Sequence, residues 1–154
     1  MTKPQEYRRI AANRRARHEF HVLEELECGI ALTGTEVKSL RQGQASIAEA
    51  YAVIKGGELW LVGAHVPEYA QGNVYNHEPT RERKLLVHRR ELAKWNKAVR
   101  ERGVTIVPLE LYFSGSRVKV RVALCRGKRM HDKRQDQRRR EDQREIERVV
   151  RRRR

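Results

Sequence analysis

Long apolar runs are missing from this 154-residue chain, whose longest are a handful of residues. A bilayer-spanning helix needs about 20, so no membrane span is expected. Cysteine is scarce: Cys28 and Cys125 stand far apart without C-x-x-C spacing. They read as two small core hydrophobes in a reduced, cytosolic setting. The opening MTKPQEYRRI has no apolar targeting core, so secretion is not expected. Catalytic signatures are absent too: no phosphate-cradling glycine loop, no G-x-S-x-G elbow and no H-E-x-x-H. The nearest approach to a metal site is HEFH at residues 18–21. On a strand His18 and His21 point to opposite faces and cannot converge on one ion. Glu24, Glu25 and Glu27 read as a solvated acidic edge. Neither an enzyme nor a cofactor is expected.

Acid is short as well. Asp and Glu total 20 against 35 Lys and Arg, a formal net charge of +15. Such an excess favours a polyanionic partner, because cations at phosphates release condensed counterions. The excess is uneven: residues 126–154 hold 14 basic and 6 acidic side chains, a net of +8. Nucleic acid is the first candidate. A ribosomal or ribosome-assembly protein and an anionic membrane surface are the alternatives, the last disfavoured by the poor apolar face of the tail.

What is present in quantity is short alternation. HEFHVLEEL reads as a strand ending near Glu27, and CGIALTG as a second. GTEVKSLRQG reads as a short helix capped by Thr35 and ended by Gly43. Residues 51–62 form a hairpin around Gly56-Gly57, and residues 67–83 form a loop. RKLLVH is a further short apolar segment. RRELAKWNKAVRERG is the clearest helix, with Leu92, Trp95 and Val99 on one face. VTIVPLELYF and RVKVRVALC are two strands, the second alternating buried Val118, Val120 and Val122 with outward Arg117, Lys119 and Arg121. Six or more short strands with two helices predict a mainly β fold, an antiparallel barrel over residues 1–125.

The tail at 126–154 has only four large apolar residues: Met130, Ile146, Val149 and Val150. They cannot offset an ordering cost of ~1–2 kcal/mol per residue, so the tail is expected to be disordered when free. Helix remains available through the acid-before-base pairs Asp136 with Arg140 and Glu147 with Arg151.

Two segments look like RNA surface: Asn13, Arg14, Arg15, Arg17 and His18, then Asn76, His77, Arg81, Arg83 and Lys84. Guanidinium forks suit phosphates and stack on bases, while Asn and His reach base edges or ribose. The blocks IAANRRARHEF, ECGIALTGTEVKSLRQG, PTRERKLLVHRREL and GKRMHDKR follow one another in this order. Together, over about Ile10 to Arg134, the chain resembles the small protein B family, which binds transfer-messenger RNA (tmRNA) in trans-translation.

The resemblance implies an oligonucleotide-binding (OB)-like barrel that binds the tRNA-like domain of tmRNA and brings it to stalled ribosomes. It implies elongation factor Tu with GTP as a further partner, and a tail that enters the empty messenger channel. Carried over residue by residue, it marks Asn13, Glu27 and the run Arg83, Lys84, Leu85 and Leu86. A carboxylate at Glu27 would repel phosphate, so it would have to accept from a base or ribose hydroxyl, orient a neighbouring cation, or fix the barrel's own surface. In the tail, Gly127, Lys128, Arg129, His131, Asp132, Lys133 and Arg134 are expected to be read individually by ribosomal RNA of the decoding centre.

Overall fold

The computed structural model describes residues 6–101, 103–128 and 130–152, without the side chains of Asn73, Met130 and His131. Seven strands and four α-helices follow in the order β1 (Tyr7–Ala12), α1 (Ala16–Glu19), β2 (Phe20–Ile30), α2 (Gly34–Arg41), β3 (Tyr51–Lys55), β4 (Glu58–Val62), β5 (Arg83–Leu86), α3 (Arg89–Ala98), β6 (Val104–Ser114), β7 (Arg117–Gly127) and α4 (Met130–Arg152).

All pairings are antiparallel, in the order β1-β6-β3-β4-β5-β2-β7. The β6–β7 hairpin joins the two sides, and the Ala52↔Ile106 pair of β3 and β6 completes the ring. β1 adds to the other half of β6, from Tyr7↔Ser114 to Ala12↔Glu110. Register shifts fall between Arg9 and Ala11, between Val22 and Glu24, and between Pro108 and Glu110. Each extra residue bends its strand and sharpens the twist, which is what curls a long antiparallel sheet into a barrel.

One shift corrects the sequence reading of two separate strands over residues 20–32. They are a single strand of 11 residues, and its register against β7 shifts by one at Leu23, which is 51% exposed. The hairpin over 51–62 forms as expected, with Gly56 at φ 60° and Gly57 at φ 73°, the left-handed pair that a two-residue turn requires. α2 also forms, but its N-cap is Thr33 rather than Thr35. Glu36, three residues on, accepts from the Thr33 N–H at 2.9 Å and completes a capping box. The Thr35 hydroxyl lies instead 2.9 Å from His77 Nδ1.

The main core fills the barrel with Leu59, Leu61, Leu85, Ile106, Val120 and Val122, closed by Leu40 of α2 and Trp95 of α3. A second cluster lies where α1 sets Ala16 against Val107, Leu109, Ala123 and Cys125. The outward row of β7 is therefore cationic at Arg117, Lys119 and Arg121 and then turns apolar at Ala123 and Cys125. Cys28 and Cys125 are free, buried and in different clusters; burial pushes their thiols up to about 12 and about 11.

Gly63 has φ +81°, and a Cβ there would sit 3.0 Å from the Glu49 carbonyl oxygen. Gly63→Ala is expected to destabilise the fold by more than the ~1–2 kcal/mol that the left-handed backbone alone costs an L-residue. A urea melt with an unchanged slope and a lower midpoint would record this.

The tail departs from the expectation of disorder: Met130–Arg152 form one helix of 23 residues. Its i, i+4 acid–base pairs favour that state, and its first turns are fastened to the barrel, which offsets part of the ordering cost. β7 itself continues to Gly127, paired with Phe20, so the barrel ends two residues later than the sequence indicated.

Candidate nucleic-acid interface

The outer face of β2, β7, β6 and β1 carries the strongest arrangement of polar groups. Period-two alternation turns valines inward along β7, so register alone lines up Glu27, Arg121 and Glu110 across three strands. The next row holds Gly29, Lys119, Tyr112 and Arg9. Tyr112 is the fixed point. Its hydroxyl donates to the Glu27 carboxylate, its ring lies 5.1 Å from that of Tyr7, and the Arg121 guanidinium sits 5.6 Å above it. Burial, with the Glu27 carboxylate beside it, pushes the Tyr112 phenol well above its ordinary range, so it stays a neutral donor.

Glu110, whose side chain is 8% exposed, accepts from Arg9 Nε at 3.0 Å and lies 3.5 Å from Arg121 Nη1. It holds two guanidiniums in place while they stay 60% and 40% exposed. Two planar cations are thus presented by one sunken carboxylate. Arranged guanidiniums lose less freedom on meeting phosphate than unrestrained ones.

Two clefts flank this face. One, of about 260 Å³, is bordered by Arg9, Asn13, Arg14, Arg17 and Arg121. The other, of about 370 Å³, sets Ile30, Leu32 and Leu86 against Arg117 and Lys119. Leu86 is 52% exposed beside Gly29, where a Cβ would stand only 3.3 Å from it. An apolar floor under a cationic rim suits a base or ribose with its phosphate.

The sequence candidates divide. Arg14 is exposed and borders the smaller cleft. Arg17 donates to Glu25 at 2.9 Å with its side chain still 67% exposed. Asn13 borders the same cleft but spends its amide donor on the Pro108 carbonyl at 3.2 Å and its backbone N–H on Leu109 at 2.8 Å, pinning β1 to the β6 bulge. Arg15 caps α1, accepting from the His18 and Glu19 N–H groups, and its side chain borders a different cleft. His18 lies on α1, half-buried. Glu27 is exposed and serves Tyr112, so here it fixes the barrel's own surface.

The second segment is mostly structural, which corrects its reading. Arg83 is fully buried; its fork reaches Glu36, the Ala64 carbonyl at 3.0 Å and the Pro79 carbonyl at 3.1 Å. Leu85 is in the core. Arg81 bonds Glu36 and the Ala31 and Glu82 carbonyls. Lys84 pairs with Glu58 at 2.9 Å and stays 40% exposed. His77 is buried between Thr35 and the Val66 carbonyl, and Asn76 braces its own loop at Tyr69. β5 turns alternate residues inward, so Arg83 and Leu85 go to the core while Lys84 and Leu86 face out.

Sequence reasoning left Arg9, Tyr112, Lys119 and Arg121 out of the candidate set. The R-V-K-V-R alternation at 117–121 carried the signal for two of them. Nothing local marked Arg9 or Tyr112.

In the tail, Lys128 is drawn inward, its side chain only 6% exposed, while Arg134 is exposed. Asp132 and Lys133 are half-buried against the barrel. Gly127 closes β7, and Arg129 and the His131 side chain lie outside the described residues. Among the described residues no helix is long and apolar enough to cross a membrane, and no cluster of three His, Cys, Asp or Glu side chains is placed to hold a metal ion.

A closed antiparallel barrel with ordered cations around a fixed aromatic, extended by a basic helix, defines a class: a small β-barrel protein whose outer face has the charge and chemistry of a candidate nucleic-acid interface. The comparisons narrow it. The family model described as SmpB protein matches residues 10–152, and the chain belongs to that family. An SsrA-binding protein of Thermobifida fusca is 57% identical over 145 residues, covering 94% of this chain and 91% of that one. One from Corynebacterium urealyticum is 55% identical over 137 residues, covering 89% and 77%. A solved chain described as "tmRNA-SmpB: a journey to the center of the bacterial ribosome" shares 43% identity at a TM-score of 0.65, covering 80% of this chain and 90% of that one.

Proposed function

We propose that this chain binds the tRNA-like domain of tmRNA with the outer face of β1, β6, β7 and β2. It delivers that RNA to stalled ribosomes, where α4 enters the empty messenger channel. The observation that carries the RNA face is the pair Arg9 and Arg121, both held by Glu110 and both open to solvent, with Arg121 over the Tyr112 ring. Family membership supplies the identity of the RNA. In this reading the protein acts by binding alone, in the cytoplasm, and elongation factor Tu with GTP accompanies the charged RNA.

The barrel and the tail divide the work. The barrel presents shaped cations with an apolar cleft beside them, which suits one folded RNA. The helix beyond residue 136 is exposed throughout its described length and mainly basic, which suits a channel walled by phosphate.

Titrating a labelled tRNA-like domain at several salt concentrations tests this. Wild-type protein should bind it far more tightly than an unrelated hairpin of equal length. Arg9→Ala and Arg121→Ala should each weaken binding and reduce the salt slope by about 1. Arg83→Lys, a change in a buried cation, should alter the melt but not the slope. Equal affinity for both RNAs would sink the reading.

A further inference from the structure

Cations stop in the middle of this chain. Between Lys55 and Arg81, residues 56–80 hold no Lys or Arg and three acids, Glu58, Glu68 and Glu78, although the whole chain carries 35 basic side chains against 20 acidic. The bounding cations do not fill the gap: Lys55 pairs with Glu82, and Arg81 turns inward to Glu36. Glu58 is paired with Lys84, and Glu68 and Glu78 are exposed.

Within this stretch the loop after β4 folds back on itself. The Gly72 N–H donates to the Tyr69 carbonyl at 2.9 Å. The Asn76 amide accepts from the Tyr69 N–H at 3.1 Å and donates to its carbonyl. His77 anchors the base of the turn between the Thr35 hydroxyl and the Val66 carbonyl. At the tip, Val74 and Tyr75 are 89% and 88% exposed, the highest values for large apolar side chains among the described residues. Single exposed apolar residues are ordinary; an adjacent pair at the tip of a closed turn presents one apolar knob.

Charge decides what suits that knob. A base stacked on Tyr75 would bring its phosphates with it, and the clefts beside the RNA face are rimmed by Arg and Lys for that purpose. Here the ends of the turn carry Glu68 and Glu78, and the one cation against it, Lys38, lies 5.6 Å over the Tyr69 ring. α2 separates the two regions: Val37 and Arg41 border clefts at the β6–β7 turn, whereas Thr35 and Lys38 meet the loop.

We propose that Val74 and Tyr75 form a docking knob for a basic ribosomal protein, seated in a shallow apolar pocket whose Lys or Arg rim meets Glu68 and Glu78. The choice of the ribosome rests on the proposed function; the choice of protein over RNA rests on the missing cations. Tyrosine supplies a large amphipathic contact of the kind that dominates protein interfaces. tmRNA and the ribosomal protein then meet opposite flanks of α2.

Replacing Tyr75 by p-benzoylphenylalanine in the full chain and irradiating it on purified stalled ribosomes, with and without tmRNA and elongation factor Tu, reads the neighbour directly. A cross-link to a ribosomal protein is expected, mapped by mass spectrometry to an apolar patch beside Lys or Arg. A cross-link to RNA or to elongation factor Tu, or none under either condition, overturns the proposal. Charge reversal separates protein from RNA a second way. Glu68→Lys combined with Glu78→Lys should weaken ribosome association by about tenfold, as should Val74→Ser combined with Tyr75→Ser. The serine pair should leave the melt and the binding of the tRNA-like domain unchanged. Tighter association of the lysine pair would mark a phosphate neighbour and overturn the proposal, as would unchanged association of either pair or loss of the tRNA-like domain by the serine pair. Failure of the wild-type chain to bind that domain would instead overturn the proposed function and leave the cross-link on ribosomes without tmRNA to be read by itself.

Discussion

Glu36→Ala is expected to remove a large share of the stability of this protein. Glu36 is fully buried, and its carboxylate is shared by two guanidiniums and one backbone N–H. Arg83, 1% exposed, has no route to water. Deleting the acid leaves that cation enclosed with only carbonyl oxygens around part of its fork, and also removes half of the capping box of α2. Breaking a buried pair from one side costs about 3–5 kcal/mol. Domains of this size have only about 5–15 kcal/mol in total. A fall in melting temperature of about 10 °C or more should follow, read by circular dichroism. Replacing Arg83 by methionine should cost less, because Arg81 remains to neutralise the acid. If Glu36→Ala melts within a degree or two of wild type, the pair is not holding α2 to β5.

The same site sets an acid limit. Burial alone would push the Glu36 carboxyl up, but bonds from Arg81, the Thr33 N–H and Arg83 outweigh it and hold the group below its ordinary range. A carboxyl depressed in the folded state contributes its full stabilisation above the unfolded value of ~4.3. That contribution is lost as pH falls through the lower folded value. Wild type should therefore lose stability steeply below about pH 4, and Glu36→Ala should show a shallower acid limb.

Glu36 also explains why the second RNA segment misled. In RERKLL each cation looks alike, and the residue that decides between them lies 47 positions away in the chain. A local pattern shows that β5 alternates but not which phase faces the core, and a buried arginine inverts the usual guess. Elements whose instructions are local were readable: the Gly56-Gly57 hairpin, the α3 face of Leu92, Trp95 and Val99, and the valine row of β7. β1 was not, because YRRIAA has no alternation until a bulge supplies it. The site follows the same division. Arg14 and Arg17 stand in a visibly basic run, whereas Arg9 joins Arg121 only because β1 closes onto β6 beside Glu110.

Ending the chain after Gly127 is expected to abolish peptide tagging while leaving the RNA complex intact. The cut falls after the last barrel residue: Gly127 still pairs with Phe20, and Arg126 keeps its 3.0 Å ion pair with Glu101. It removes 13 of 35 basic and 6 of 20 acidic residues, taking the net charge from +15 to +8. If RNA were held by net charge alone, affinity and salt slope would both fall steeply. The ordered cations at Arg9 and Arg121 and the Leu86 cleft all stay in place, so binding of the tRNA-like domain should change by no more than a factor of a few. Tagging on ribosomes stalled without a codon should drop to background, since nothing remains to enter the channel. A shorter cut after Arg140 keeps the fastened root and two to three turns of helix, and separates reach from anchoring. Intermediate tagging would assign the distal half a graded, charge-driven role. Loss equal to the full truncation would place the decisive contacts in 141–154, around Ile146, Val149 and Val150, the exposed apolar face of the outer helix. Should the Gly127 cut also destroy binding to the tRNA-like domain, the division of labour between barrel and tail is wrong.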